Sequence, residues 1–389
     1  MSSLTEKLLT LPPGIAGLRV LFAVDCLFPG SGGAENQAIK LATALRERGA
    51  QIEFIAPQIN GQLPLQEQMD GFTVRRIAYP QVPKFGALVL IARFRQFLLD
   101  NADRYDAIHV HITHLLAAAA GFARKKLPLP VVTKISGFYE FEGGVLDQSR
   151  RFNPVNFLVR RGLAHIDYVQ AISQQTHQKL LFAGIDESRI RQIPNGIETS
   201  AKANARLRDE WLRIGFCGRL RQVKGLHVLL SAFASIRQSR PDLPIRLIIA
   251  GDGDALESLQ QQAQTLELTD RIEWLGRIDD TAAFYESLDI YVQPSFAEGM
   301  PNSVMEAMLA QRAVVASDIG GNSDLLTHQS NGLLFPVGDS AALASAMVQL
   351  LDNPDLSAAI ARAAQERIVA DFGFEQITTQ LAELYRGRG

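Results

Sequence analysis

The sequence predicts an α/β protein of two Rossmann-like domains, each a doubly wound parallel sheet, on three observations. At 389 residues the chain is too long for one ordinary hydrophobic core. Short apolar runs alternate with segments of helical period, as strand–helix–strand units do. The same alternation then begins again after a polar interruption near the middle.

In chain order, Arg19 to Val24, Gln51 to Ala56, Ala107 to His111, Val131 to Ile135 and Tyr168 to Ala171 read as strands. Helical segments such as Glu35 to Arg48 lie between them. After Pro194-Asn195-Gly196 the stretch Thr199 to Asp209 has no β-branched run and no apolar period, which marks a linker. Strands resume at Arg213 to Cys217, Ile245 to Ala250, Arg271 to Trp274, Ile290 to Gln293 and Ala313 to Ala316. Helices over Ser340 to Leu351, Leu356 to Val369 and Gln376 to Tyr385 close the chain. The expected boundaries are a first domain over 1–196, a linker over 197–210, a second domain over 211–373 and a last helix, 374–389, packing back on the first domain. In open α/β sheets ligands bind beyond the carboxyl ends of the strands. Two such domains facing a central cleft would hold the ligand there.

Hydrophobic residues at 47% and charged residues at 21% exclude a disordered or low-complexity protein. Two cysteines, Cys26 and Cys217, exclude a disulfide scaffold and fit a reducing compartment. The longest apolar stretch, Gly86 to Leu99, is broken by Arg93 and Arg95, short of the roughly 18–20 residues a membrane span needs. No apolar leader follows Glu6 and Lys7, so a cytoplasmic location is expected.

The net charge of −2 hides an asymmetry: residues 1–195 hold 22 Lys+Arg against 16 Asp+Glu, which leaves 17 against 25 for the rest. The basic residues cluster at Arg93 and Arg95, Arg124 to Lys126, Arg150 and Arg151, and Arg160 and Arg161, several beside Phe, Leu or Val. An anionic membrane surface suits such a face, with the protein peripheral on the inner side of the membrane; a merely solvated face fits the pattern equally. Lys84 to Leu99 can form an amphipathic helix offering Phe85, Leu88, Phe94, Phe97 and Leu98 to lipid or, more ordinarily, to its own sheet. Nucleic acid is not an expected partner, because stacking aromatics do not interleave with the basic residues.

Three motifs fall just after strands. Phe28-Pro29-Gly30-Ser31-Gly32-Gly33-Ala34-Glu35 opens a helix and lets backbone approach a phosphate or sugar, although it lacks dinucleotide spacing and reads equally as a structural turn. Gly218-Arg219-Leu220-Arg221-Gln222-Val223-Lys224-Gly225 places two cations between glycines, where they can hold a diphosphate. Pro294-Ser295-Phe296-Ala297-Glu298-Gly299-Met300-Pro301-Asn302-Ser303-Val304-Met305-Glu306 turns at Glu298-Gly299 and enters a helix at Pro301. Its two carboxylates stand on the order of 10 Å apart along the helix, too far for a retaining glycosidase pair at roughly 5–5.5 Å. They can instead bracket an elongated ligand whose diphosphate faces the N–H groups between them, which is the layout of a nucleotide sugar.

Glu298 and Glu306 as Glu-x7-Glu, together with Gly218-Arg219 to Lys224-Gly225, resemble the retaining glycosyltransferases of family four, which have the GT-B fold. Ile193-Pro194-Asn195-Gly196-Ile197, Gly251-Asp252-Gly253 and Gly320-Gly321 stand where that family has such segments, so the resemblance covers nearly the whole chain. It implies transfer of a hexose from a UDP- or GDP-type sugar, with retention of configuration, to a hydroxyl of a glycan, lipid-linked or small-molecule acceptor, with no cofactor and no metal. It further implies that Arg219 and Lys224 bind the diphosphate, that Glu306 accepts from the ribose and that Glu298 contacts the donor sugar. Gly299, Met300, Pro301, Asn302 and Ser303 would face phosphates and sugar, Arg277 and Ile278 would border the base, and Gly32 and Gly33 would close from the other domain. The family's strand-end histidine near sugar and acceptor maps to His111, further out than His109, with His114 able to substitute.

The chain departs from the family at Ser136-Gly137, where many members carry His-Gly, and at Gln311-Arg312-Ala313, where Gly-x-Pro is usual. Asp252-Gly253-Asp254 spells the metal signature of another glycosyltransferase fold, but its doubly wound setting makes it a coincidence. Competing functions are a nucleotide-sugar epimerase or sugar-phosphate synthase on the same fold, and a noncatalytic nucleotide-sugar-binding module.

Overall fold

The computed structural model describes residues 14–30, 32–59, 61–137, 140–199 and 210–388. Pro12-Pro13, Ser31 of the glycine-rich turn and most of the expected linker, 200–209, lie outside them. The described residues form two units: one runs to Glu198 and takes in Phe374 onwards, and the other lies between Thr199 and Gly373.

The first unit holds eight strands: β1 Arg19–Val24, β2 Gln51–Pro57, β3 Gln66–Met69, β4 Phe72–Ile77, β5 Ala107–His111, β6 Val131–Lys134, β7 Tyr168–Ala171 and β8 Ile190–Gln192. Their order across the sheet is β3-β4-β2-β1-β5-β6-β7-β8. All neighbours pair parallel except β3 with β4, which form an antiparallel hairpin at one edge. Five of these strands were expected from the sequence; β3, β4 and β8 are additions. The hairpin turns at Asp70-Gly71, both at positive φ (50° and 78°), a turn that Asp-Gly favours, and β4 buries Phe72 and Val74 by alternation.

Helices cover both faces. On one, the helix Leu115–Ala123 is buried at every residue but Phe122, and a Cβ on its Gly121 would lie 2.0 Å from the Gly162 carbonyl oxygen, so glycine there permits close helix packing. The helix Phe85–Asp100 flanks it and buries Leu90, Ile91, Phe94 and Leu98 in the core. The face expected to be available to lipid is therefore divided: Phe94 and Leu98 belong to the core, whereas Phe85 and Leu88 stay exposed. On the other face lie the helices Gly33–Glu47 and Phe374–Tyr385. The closing helix is tied down by the Phe374 N–H donating to the Ile197 carbonyl and by the Tyr385 hydroxyl, 2.7 Å from His109 Nδ1.

The second unit holds β9 Leu212–Cys217, β10 Ile245–Ala250, β11 Ile272–Gly276, β12 Ile290–Gln293, β13 Ala313–Ser317 and β14 Leu333–Phe335, all parallel, in the order β11-β10-β9-β12-β13-β14. Only β14 was unexpected, being three residues long. Each sheet reverses its winding direction beside its first strand, between β1 and β5 in one unit and between β9 and β12 in the other. At such a reversal the flanking loops part and leave a crevice beyond the strands' carboxyl ends. Among the described residues no helix is long and apolar enough to cross a membrane.

Candidate active site

In the second unit the chain leaves β9 into Gly218 to Gly225 and leaves β12 into Pro294 to Pro301, so the two sequence motifs flank the reversal point. The backbone laces these loops together. Phe296 N–H donates to the Val223 carbonyl at 2.8 Å, and a Cβ on Gly225, at φ 69°, would meet the Pro294 oxygen at 2.0 Å. The Gly251-Asp252-Gly253 loop after β10 supports the first motif: Gly218 N–H donates to the Ala250 carbonyl and Leu220 N–H to that of Asp252. Gly251, at φ 135°, leaves no room for a Cβ, which would stand 1.9 Å from the Gly218 oxygen.

Lys224 Nζ donates to Glu298 Oε1 at 2.5 Å across this junction. Gln293 Nε2 and Ser295 Oγ each donate to the same oxygen at 2.7 Å, so the carboxylate is held by three donors, two of them buried residues. Gln293 Oε1 in turn accepts from the Tyr291 hydroxyl at 2.6 Å and from Ser303 Oγ at 3.1 Å. Gly321 lets its loop press on the turn, for a Cβ there would meet the Glu298 carbonyl oxygen at 2.6 Å.

Glu306 lies on the helix Asn302–Leu309, close enough to the end of β9 that its charge, added to burial, helps push the Cys217 thiol up to about 11. Thus Lys224 and Glu298 touch, and Glu306 neighbours the strand end from which Gly218 and Arg219 emerge. Arg219 is exposed on that loop. Gly299, Met300 and Pro301 are buried at the start of the helix, whose N-terminus carries no side-chain cap and leaves its field for a ligand. Arg277 and Ile278 follow β11 beside this loop system: the Gly276 carbonyl accepts from Gly251 N–H at 2.7 Å. Asp252 and Asp254 are exposed, and among the described residues no group of three or more His, Cys, Asp or Glu side chains could hold a metal ion.

In the first unit Gly32 is the N-cap of the helix Gly33–Glu47. Its hydrogen side faces the Glu35 carboxylate, 2.1 Å from where a Cβ would stand; Gly33 is exposed. His109 and His111 stack at 4.3 Å between centroids, and both are buried, at 0% and 1% exposure. His111 is the last residue of β5, further out along the strand than His109, and the Phe22 ring packs 4.6 Å from it. Burial, then the neighbouring Lys134 charge, pushes His109 down to about 3; burial, His109 and Lys134 push His111 well below the ordinary histidine value. Burial also lowers Lys134 to about 8.

Several residues of this site were not singled out from sequence. Tyr291 and Gln293 sit in the apolar run of β12, and Gln293 in its last position is a buried amide that signals a polar network at the strand end. Asp25, the first residue after β1, is a comparable signal. The Ser136-Gly137 segment carries its own device: Glu140 accepts from Ser136 N–H, Ser136 Oγ and Gly137 N–H.

Comparison with known proteins bears on these loops. The family model "Glycosyl transferases group 1" matches residues 212–353, and "Glycosyl transferase 4-like domain" matches residues 32–196. The D-inositol 3-phosphate glycosyltransferase of Pseudarthrobacter chlorophenolicus is 29% identical over 371 residues, covering 87% of each chain. The phosphatidyl-myo-inositol mannosyltransferase of Mycobacterium leprae is 27% identical, covering 95% of this chain and 96% of the relative. Among solved structures, Anabaena HepE in complex with UDP aligns with a TM-score of 0.73 at 24% identity, covering 94% of this chain and 99% of the other. The sucrose-phosphate synthase of Thermosynechococcus elongatus aligns at 0.77 and 22%, covering 95% and 99%.

Proposed function

Because the chain belongs to the group 1 glycosyl transferases and has their GT-B fold, we propose that this nucleotide-sugar glycosyltransferase is retaining and metal-independent, moving a hexose from a UDP- or GDP-type donor to a hydroxyl of a glycan, lipid-linked or small-molecule acceptor. The observation that carries this reading is the Lys224–Glu298 contact at the strand-order reversal, with Glu306 on the second turn of the helix Asn302–Leu309. Lys224 and exposed Arg219 bind the donor diphosphate and stabilise its charge as it leaves, assisted by the uncapped N-terminus over Asn302 and Ser303. Glu298 contacts the donor sugar through the oxygen not taken up by its three donors, and Glu306 accepts from the ribose. Gly299, Met300 and Pro301 line phosphates and sugar, and Arg277 and Ile278 border the base.

The acceptor oxygen bonds to the anomeric carbon on the face from which the diphosphate departs; the carbon–phosphate-oxygen bond breaks, and the released phosphate oxygen takes the hydroxyl proton. Two fixed cations supply the charge that a metal would otherwise provide. A UDP complex of one structural neighbour and the GDP-mannose named for one relative, the Mycobacterium tuberculosis α-mannosyltransferase, support the donor class. His111, placed by family resemblance near sugar and acceptor, would act from beneath the Ile112–His114 turn.

The test offers UDP-glucose and GDP-mannose, with and without EDTA, to a panel of polyols, and reads nucleotide release and the anomeric proton coupling of the product. An α-linked product from an α-donor, unaffected by EDTA, is expected. A β-product, dependence on a divalent ion or no nucleotide release counts against the proposal, and an isomerised donor without release favours the epimerase.

A membrane-bound acceptor is favoured by exposed Phe85, Leu88, Phe152 and Phe157 at the beginnings of two helices that follow β4 and β6, with Arg150, Arg151 and Arg161 exposed beside the latter pair. Anionic vesicles at low salt should retain the protein, and Phe152→Ser with Phe157→Ser should release it. Failure of the wild type to bind them sinks this extension.

A further inference from the structure

Gln293 ends β12, the strand that leads towards Glu298, and its side chain is buried. A buried amide must find partners for two hydrogens and for its oxygen, and here it does. Nε2 donates to Glu298 Oε1 at 2.7 Å and to Ser295 Oγ at 2.8 Å. Oε1 accepts from the Tyr291 hydroxyl at 2.6 Å and from Ser303 Oγ at 3.1 Å. The amide has one permitted orientation. A carboxylate only accepts, so the nitrogen faces Glu298 and the oxygen is left to Tyr291 and Ser303.

The hydrogens of this chain therefore all run one way. Burial pushes the Tyr291 hydroxyl well above its ordinary value, so it keeps the proton it donates to Gln293. Gln293 donates onward to Ser295 and Glu298, Ser295 donates to Glu298, and Lys224 Nζ donates to the same Oε1 at 2.5 Å. Convergence on Oε1 leaves Oε2 to meet a ligand hydroxyl. Packing holds the chain still: the buried Tyr291 and Tyr285 rings meet edge to face at 5.5 Å, and Ser317 Oγ of β13 donates to the Ser295 carbonyl at 2.5 Å.

One side chain thus ties the carboxylate of the turn to the start of the helix Asn302–Leu309, on which Ser303 is the second residue. A sugar hydroxyl held by Glu298 and a diphosphate held at that helix start are spaced by this amide. A reacting bond displaced by about 1 Å can cost about 100-fold in rate, so the spacing bears on turnover.

We propose that Gln293 is a positioning residue for glycosyl transfer: it sets Glu298 Oε2 against the helix start so that the donor sugar and its leaving diphosphate are held at a fixed separation. The inference rests on the glycosyl-transfer reading above. Its loss slows turnover more than it weakens binding of the nucleoside diphosphate alone.

The experiment measures nucleotide release from UDP-glucose and GDP-mannose with the polyol panel as acceptors, and the Kd of UDP and GDP by calorimetry. Gln293→Leu should lower kcat by about 10- to 100-fold while the nucleoside diphosphate Kd stays within threefold. Tyr291→Phe keeps the packed ring and removes one donor, so it should lose about three- to tenfold in kcat with a melting temperature near wild type.

Gln293→Glu supplies a group of the same size that donates only when protonated. Beside Glu298 that carboxyl is pushed up by like charge, and Lys224 and Ser295 keep the negative charge on Glu298. The kcat of this variant relative to wild type should therefore rise about tenfold as pH falls from 8.5 to 6.0. The surrounding ionisable groups, Lys224, Cys217, Tyr285, Tyr291 and Glu306, are common to both proteins and cancel in the ratio.

A Gln293→Leu or Tyr291→Phe kcat equal to wild type, an equal loss in nucleoside diphosphate affinity, or a Gln293→Glu ratio flat with pH overturns the positioning role and leaves the glycosyl-transfer reading standing. Absence of nucleotide release by the wild type from either donor removes that reading and this inference together.

Discussion

Lowering the pH from 7.5 to 5.0 should destabilise the first unit through its buried histidine pair, and His109→Gln isolates the effect. The native His109 titrates at about 3, against an ordinary value near 6.5, because burial opposes its charge and Lys134 lies close. A group depressed in this way is neutral in the native state at pH 5 and almost wholly protonated in the unfolded chain. The unfolded state then binds more protons, so stability is fully present above pH 6.5 and falls as pH drops through the window from 6.5 to about 3. At pH 5 the shortfall from His109 is about 2 kcal/mol. His111 adds to it in the same direction.

Asp25 and Glu140, whose carboxyls burial pushes up, act oppositely, which is why the comparison must be between variant and wild type. His109→Gln preserves a partner for the Tyr385 hydroxyl and removes one titration, so its loss of stability between the two pH values should be about 2 kcal/mol smaller. The assay is urea unfolding followed by circular dichroism. Fluorescence separates the units, since both tryptophans, Trp211 and Trp274, lie in the second. An identical pH dependence in variant and wild type, or an NMR midpoint for His109 near 6.5, would refute the reasoning.

Lys224→Ala should lower turnover by about 10²–10³-fold, the cost of losing one fixed stabilising group in a site of this kind. The fold should survive, because Gln293 and Ser295 still hold Glu298; near-normal nucleotide release would count against the proposed role. Gln311 ends the helix Asn302–Leu309 at φ 57°, the left-handed conformation in which glycine is at ease. Gln311→Gly should therefore stabilise the second unit by about 0.5–1 kcal/mol in the fluorescence-detected urea transition, and a loss of stability would show that the exposed glutamine makes contacts worth more than the strain.

Much of the fold was legible because each unit's central strands are short and predominantly apolar. A strand such as Ile245–Ala250, buried on both faces, announces itself without reference to its neighbours. The strands that escaped notice lie at or near sheet edges: Gln66–Met69 is polar and half-solvated, and Ile190–Gln192 and Leu333–Phe335 are three residues long. The Asp70-Gly71 turn between β3 and β4 was a readable hairpin signal, since the geometry it requires is local. At the candidate site, glycine-flanked cations and spaced carboxylates could be read as loops after strands. Alternation placed His109 and His111 on one face but could not say that the Phe22 ring would pack against both.

The amino-acid order alone determined the class of structure, the two cycles of strand and helix and the loops in which chemistry concentrates, since periodicity, turns and glycine positions act over a few residues. Only the tertiary structure decided that Lys224 meets Glu298, 74 residues away, and that Asp25 meets His114. Those contacts depend on which strands become neighbours across each sheet, and strand order is set by the burial of whole faces, a property that no local stretch of sequence carries.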